Sequence, residues 1–251
     1  MKTTLTALIV FGCLIAAVLV GRAIRSLLPD EHVTSDSRDA IKLAMGLVAT
    51  MSALVLGLLV SSAKGAYDTE RSEVIQIAAK VAFLDRVLAA YGPEAANARA
   101  LLRQSVEQGI RQMWPEEKSR PANRAPNVQA GNLMYATIHS LSPRNDTQAA
   151  LKTQAASLAV DLAEVRSLLA AQSVPSISKP MLIVLVSWLV IIFLGFSVLA
   201  PPNGTAILAL TVSSLAVSGA IFLILELDEP FGGVIGISSE PMLDALRQLG
   251  N

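Results

Sequence analysis

Four stretches of this chain, residues 5–20, 43–63, 181–200 and 205–225, are long and apolar enough to cross a hydrocarbon core. A helical crossing takes roughly 20 residues at a rise of about 1.5 Å each. Within lipid every backbone amide and carbonyl must be satisfied by protein, which leaves helices and closed barrels as the spanning structures. No run in this chain shows the strict apolar/polar alternation of a strand, so the crossings read as helices. Only 16% of the 251 residues are charged and 53% are hydrophobic, against about 25% charged in a soluble domain. The first stretch is the shortest and also admits a signal-peptide reading. Phe11 stands where a lipoprotein cleavage box wants a small residue, and the apolar run continues past Cys13, so a crossing is favoured.

The expected fold class is all-α: four transmembrane helices with a cytoplasmic helical bundle inserted between the second and third. The boundaries follow composition: 1–63 for the first transmembrane pair, 64–179 for the helical domain, 180–226 for the second transmembrane hairpin, and 227–251 for a turn and an amphipathic tail helix. The block from Lys64 to Lys179 holds 14 of the 20 Lys and Arg. Basic residues near the membrane ends favour the cytoplasmic face. Lys2, Lys64, Arg71, Arg166 and Lys179 outweigh Arg22, Arg25, Arg38 and Lys42, which puts both termini and the block in the cytoplasm.

Within the block, Val74, Ala78, Val81, Leu84 and Leu88 recur at helical steps with no breaker before Gly92 and Pro93, so the second crossing is expected to run on as one rod. Leu102, Val106, Ile110 and Met113 repeat the pattern after Pro93, which suits a helix first turn. A loop rich in Pro follows at 115–131. Next come a short helix near "NLMYATIHSL" and a longer one over 147–171, with Leu151, Ala155, Leu158, Leu162, Val165 and Leu169 on one face. "APPNG" turns the chain between the last two crossings into a tight hairpin. In the tail, Met242, Leu246 and Leu249 share a face.

Chemistry that needs clustered side chains finds little support. Net charge is zero, so no field draws the chain to nucleic acid. The single cysteine, Cys13, excludes an internal disulfide. His32 and His139 lack metal-ligand spacing, and there is no glycine-rich phosphate loop or nucleophile elbow. No enzyme activity, cofactor or metal is expected.

Two features ask for a role. In the second crossing Gly46, Thr50, Ala53, Gly57, Ser61 and Lys64 step by three or four, so small or polar residues share one face, with Leu47, Met51, Leu54 and Leu58 running alongside. Small residues let helices approach closely in lipid; in an oligomer the same face can line a pore that gates by dewetting. After the fourth crossing, Glu226, Asp228 and Glu229 sit at a helix C-terminus, where the dipole disfavours acids. Three readings stay open: solvated acids at a membrane exit, an ion-pair site with Arg71, Arg166 or Lys179, or a hard-cation site of oxygen ligands.

Tyr67 and Arg71 in "GAYDTERSEV", "AAYGPEAANARALLRQ", the "LSPRNDTQ" turn, Arg166, "WLVIIFLGFSVLAPPNG" and "LELDEPFGGVIGISSEP" resemble the bestrophin-like family of bacterial membrane proteins. The resemblance implies a bacterial inner-membrane location and, by way of the more distant bestrophins, a homo-oligomeric anion channel with the second crossing lining its pore. "LVLGLLV" at 54–60 and "EPFG" at 229–232 are similar to the pore and post-fourth-crossing regions of bestrophins, while the aromatic pore neck and the longer calcium-clasping acidic run are absent. The expected function is a passive ion channel with membrane lipid and further copies of the chain as partners. The alternative is a non-conducting scaffold or sensor whose cytoplasmic bundle binds a protein.

Overall fold

The computed structural model describes residues 2–27, 35–115, 122–123, 127–172, 177–201 and 203–249, the side chains of 2 and 35–37 excepted. His32, most of the loop at 115–131 and Pro202 of the interhelical turn lie outside the described residues. The described residues are helical, without a strand: α1 (Lys2–Leu27), α2 (Ser35–Tyr91), α3 (Ala96–Met113), α4 (Val128–His139), α5 (Asp146–Ala171), α6 (Lys179–Leu199), α7 (Gly204–Leu227) and α8 (Glu240–Gln248). Four of them, α1, α2, α6 and α7, are long and apolar enough to cross a membrane. The chain divides into two compact units, Met1–Ala66 with Ser176–Asp228 and Tyr67–Pro175 with Glu229–Asn251. α2, at 57 residues, contributes to both.

In the first unit α1 packs along α6 and, less extensively, along α7. Val10, Leu14, Ala17 and Val18 of α1 are buried with Leu185, Leu189 and Phe193 of α6 and Ile221 and Ile224 of α7, and Leu59 and Ala63 of α2 join them. The two helices on either side of the "APPNG" turn thus share α1 as a packing partner. One close approach of α1 and α6 depends on a missing side chain: a Cβ on Gly21 would stand 2.7 Å from the Leu194 carbonyl oxygen and from Ser197 Cβ. At the same crossing the buried Ser197 hydroxyl donates to the Val18 carbonyl at 2.6 Å. Nearby, a Cβ on Gly195 would overlap Met45 Sδ of α2. Helices in lipid associate through such small-residue contacts and interhelical hydrogen bonds.

The second unit is built on the face foreseen from periodicity. Val74, Ala78, Val81, Leu84 and Leu88 of α2 are all buried, together with Leu102, Val106 and Met113 of α3, Ala155 and Leu169 of α5, and Met242 and Leu249 at α8. Asn145 accepts from Gln148 N at 2.8 Å and Asn127 from Ala130 N at 3.1 Å, so each caps the first turn of its helix. α2 stops at Gly92, whose φ of 122° is open to glycine and strained for other residues. Asp85 on α2 is gripped by both Nε and Nη2 of Arg99 on α3, at 2.8 and 2.9 Å, and this pairing holds the guanidinium above its usual range. Lys152 of α5 donates to the carbonyls of His139 and Leu141, fastening the end of α4.

The Gly21 crossing gives a stability test. Gly21→Ala forces α1 and α6 apart and is expected to destabilise the protein by about 1–3 kcal/mol. Gly57→Ala, whose added Cβ meets nothing within 4 Å, is expected to leave stability unchanged or slightly raised. Thermal unfolding of the purified variants in detergent checks both, and equal melting temperatures for the two would contradict the packing described.

Candidate functional site: the faces of α2 and the acidic corner

Between residues 45 and 64, α2 carries three distinct faces. Met45, Ser52, Leu59 and Ala63 are buried within the first unit. Gly46, Thr50, Ala53, Gly57, Ser61 and Lys64 are all exposed. Leu47, Met51, Leu54 and Leu58 are also exposed, Leu54 by 71%. At about 100° per residue the mean directions of these three sets differ by roughly 90–135°, so the helix divides almost evenly into a packed side, a small and polar side, and a large apolar side.

The glycines of the small side are open among the described residues. A Cβ on Gly46 or Gly57 would meet no neighbouring atom within 4 Å. Thr50 turns its hydroxyl to the Gly46 carbonyl at 2.9 Å, which satisfies it inside the helix. Ala53, Ser61 and Lys64 complete this face.

At the end of α7 the three acids take separate situations. Glu226 is 2% exposed and accepts a 2.6 Å hydrogen bond from the Thr3 hydroxyl near the start of α1. Asp228 caps α7, its amide bonded to the Ile224 carbonyl at 3.2 Å. Glu229 is exposed and begins the stretch assigned to the second unit. Among the described residues no three His, Cys, Asp or Glu groups converge as metal ligands. Arg71 is exposed on α2. Arg166 makes no hydrogen bond or ion pair among the described residues, and burial holds its guanidinium below the usual range.

The segment after the acids is pinned by aromatic packing in the second unit. Ile237 N donates to the Pro230 carbonyl at 2.7 Å, closing the "PFGG" loop. Phe231 is buried and meets Trp114 edge to face, centroids 5.5 Å apart, while Trp114 Nε1 donates to the Ile237 carbonyl at 2.8 Å. Trp114 ends α3 and was not singled out by sequence reading. Its distance of more than a hundred residues from Phe231 and Ile237 leaves no local signal for the pairing.

Residues 11–242 match the family described as a bestrophin-like domain. The fold is similar to that of a crystal structure of a bacterial bestrophin homologue from Klebsiella pneumoniae, with a TM-score of 0.66 at 16% sequence identity, over 99% of this chain and 98% of that one. No curated protein sequence matches this one.

Trp114→Phe keeps the edge-to-face packing but leaves the buried Ile237 carbonyl without its donor. The expected cost is about 1 kcal/mol, with faster amide hydrogen exchange confined to residues 230–237 and the end of α3; unchanged exchange there would contradict the anchoring role.

Proposed function

The chain belongs to the bestrophin-like family, and from that membership we propose that it assembles as a homo-oligomer that passes ions passively, with the small face of α2 lining the pathway. The observation that carries the proposal is the exposure of all six residues, Gly46, Thr50, Ala53, Gly57, Ser61 and Lys64, on one side of a helix whose packed side is turned the other way. Small residues on a membrane helix need a use, because lipid gains nothing from contact with them. In a ring of subunits, the packed face of α2 holds its own chain, the large apolar face meets a neighbour or lipid, and the small face turns to the axis.

Passive conduction, rather than coupled transport, is supported by the apolar runs themselves. No Asp, Glu, Lys, Arg or His lies within residues 43–63, 181–200 or 205–225, whereas proton relays and coupled pumps place such groups at mid-membrane. Anion preference rests on family kinship and on Lys64 at one end of the face. The proposed setting is the inner membrane of a bacterium, with both termini and the second unit in the cytoplasm, as the weight of basic residues in the block from Lys64 to Lys179 favours. Within this reading the corner acids act structurally. Glu226 ties the end of α7 to the start of α1 through Thr3, and Arg71 and Asp228 remain candidates for ion pairing in the assembled oligomer.

Flux through proteoliposomes tests the assignment of faces. Gly57→Trp is expected to cut ion flux at least tenfold while the oligomer survives on size exclusion, and Leu54→Trp, on the adjacent apolar face, to retain most of it. Absence of flux from the intact wild-type oligomer would overturn the proposal and favour the non-conducting scaffold.

A further inference from the structure

The second unit holds a cavity of about 330 Å³ bordered by α2, α3, α4 and α5. Its lining is mostly aliphatic, with Val81, Val106, Met134 and Leu162 among the walls, and it includes no acidic residue. Arg166 is the single charged side chain on it. The guanidinium lies against the facing helix α3: a Cβ on buried Gly109 would stand 3.4 Å from Arg166 Nη2. No described residue hydrogen-bonds or ion-pairs with Arg166.

A half-buried guanidinium without a counter-charge among the described residues carries a desolvation cost, and folded proteins normally pair such a group. No described residue pairs it, and it stands beside an apolar hollow of the size that small-molecule sites occupy. Tyr135 and Asn132 of α4 bring further polar groups to the same lining. One fixed cation matches one negative charge, and a planar guanidinium matches a planar carboxylate with two parallel hydrogen bonds. The aliphatic remainder excludes a wholly polar anion, which would leave that surface wet.

We propose that this cavity binds a small amphipathic carboxylate, with its carboxylate on Arg166 and its apolar body, a medium-length chain or a single aryl group, among Val81, Val106, Met134 and Leu162. The site is separate from the α2 face proposed as the ion pathway and does not depend on conduction.

The full chain in lipid nanodiscs, titrated with radiolabelled octanoate and corrected with empty nanodiscs, tests it. Saturable binding of one octanoate per chain is expected, displaced by unlabelled octanoate and not by octanol or inorganic phosphate. Arg166→Gln should weaken binding at least tenfold without lowering the melting temperature of the ligand-free protein, because it removes an uncompensated charge. Gly131→Leu, where an added Cβ at the cavity rim meets nothing within 4 Å, should also weaken binding by occupying the space. Equal displacement by octanol, or undiminished octanoate affinity in Arg166→Gln, would overturn the proposal. Absence of saturable binding would overturn it too; if Arg166→Gln then also breaks the oligomer, a second copy of the chain covers the cavity instead.

Discussion

Inside a hydrocarbon slab, helices gain nothing by exchanging leucine–lipid contacts for leucine–leucine contacts, so the membrane unit depends on close contacts such as the one between α1 and α6 at Gly21. At that place Gly21 has no side chain to hold the backbones apart, and Ser197 spends its hydroxyl on the Val18 carbonyl. Two small residues thereby do what a large apolar core does in water. α7 reaches the same helix from another side through Ile221 and Ile224, and Glu226 closes its end against Thr3. Glu226 is a buried carboxylate of the kind that is tolerated when a hydroxyl satisfies it and costly when left alone.

α2 stands apart from this economy of close contacts. Its glycines face open space while its packed side uses Met45, Leu59 and Ala63. Glycine in a helix interior costs about 1 kcal/mol relative to alanine, and a cost borne at positions 46 and 57 with no packing contact among the described residues points to a return elsewhere. The proposed oligomer would supply it, and the exposed faces of α2 together with the family assignment are what support that proposal. The second unit follows soluble-protein rules, with an aliphatic core from four helices, asparagine caps and a two-pronged Asp85–Arg99 pair.

Much of this was legible in the sequence because it is periodic. Runs of apolar residues located the four candidate spans, and the steps from Val74 to Leu88 identified both the extension of α2 and its buried side, position by position. Helix ends were less legible: α1 runs from Lys2 to Leu27 where the apolar run covers 5–20, since Arg22 and Arg25 continue a helix as readily as leucine does. Pairings across long separations were not legible at all. Thr3 and Glu226 lie 223 residues apart, and neither type signals the other. Charge alone offered Arg166 as a mate for the corner acids, but its setting comes from Gly109 and the hollow among α3, α4 and α5, which only three-dimensional packing creates. The small stripe of α2 was visible as a stripe; that all six of its residues are exposed required the fold.

The central claim, that the small face of α2 lines an aqueous axis, is tested most directly by the structure of the assembled protein in lipid nanodiscs. A ring of subunits with Gly46, Ala53 and Gly57 turned toward a water-filled centre, and Leu47, Leu54 and Leu58 turned away from it, is the predicted result. A monomer or dimer, or a ring in which Gly57 is packed against a neighbouring helix, would contradict it.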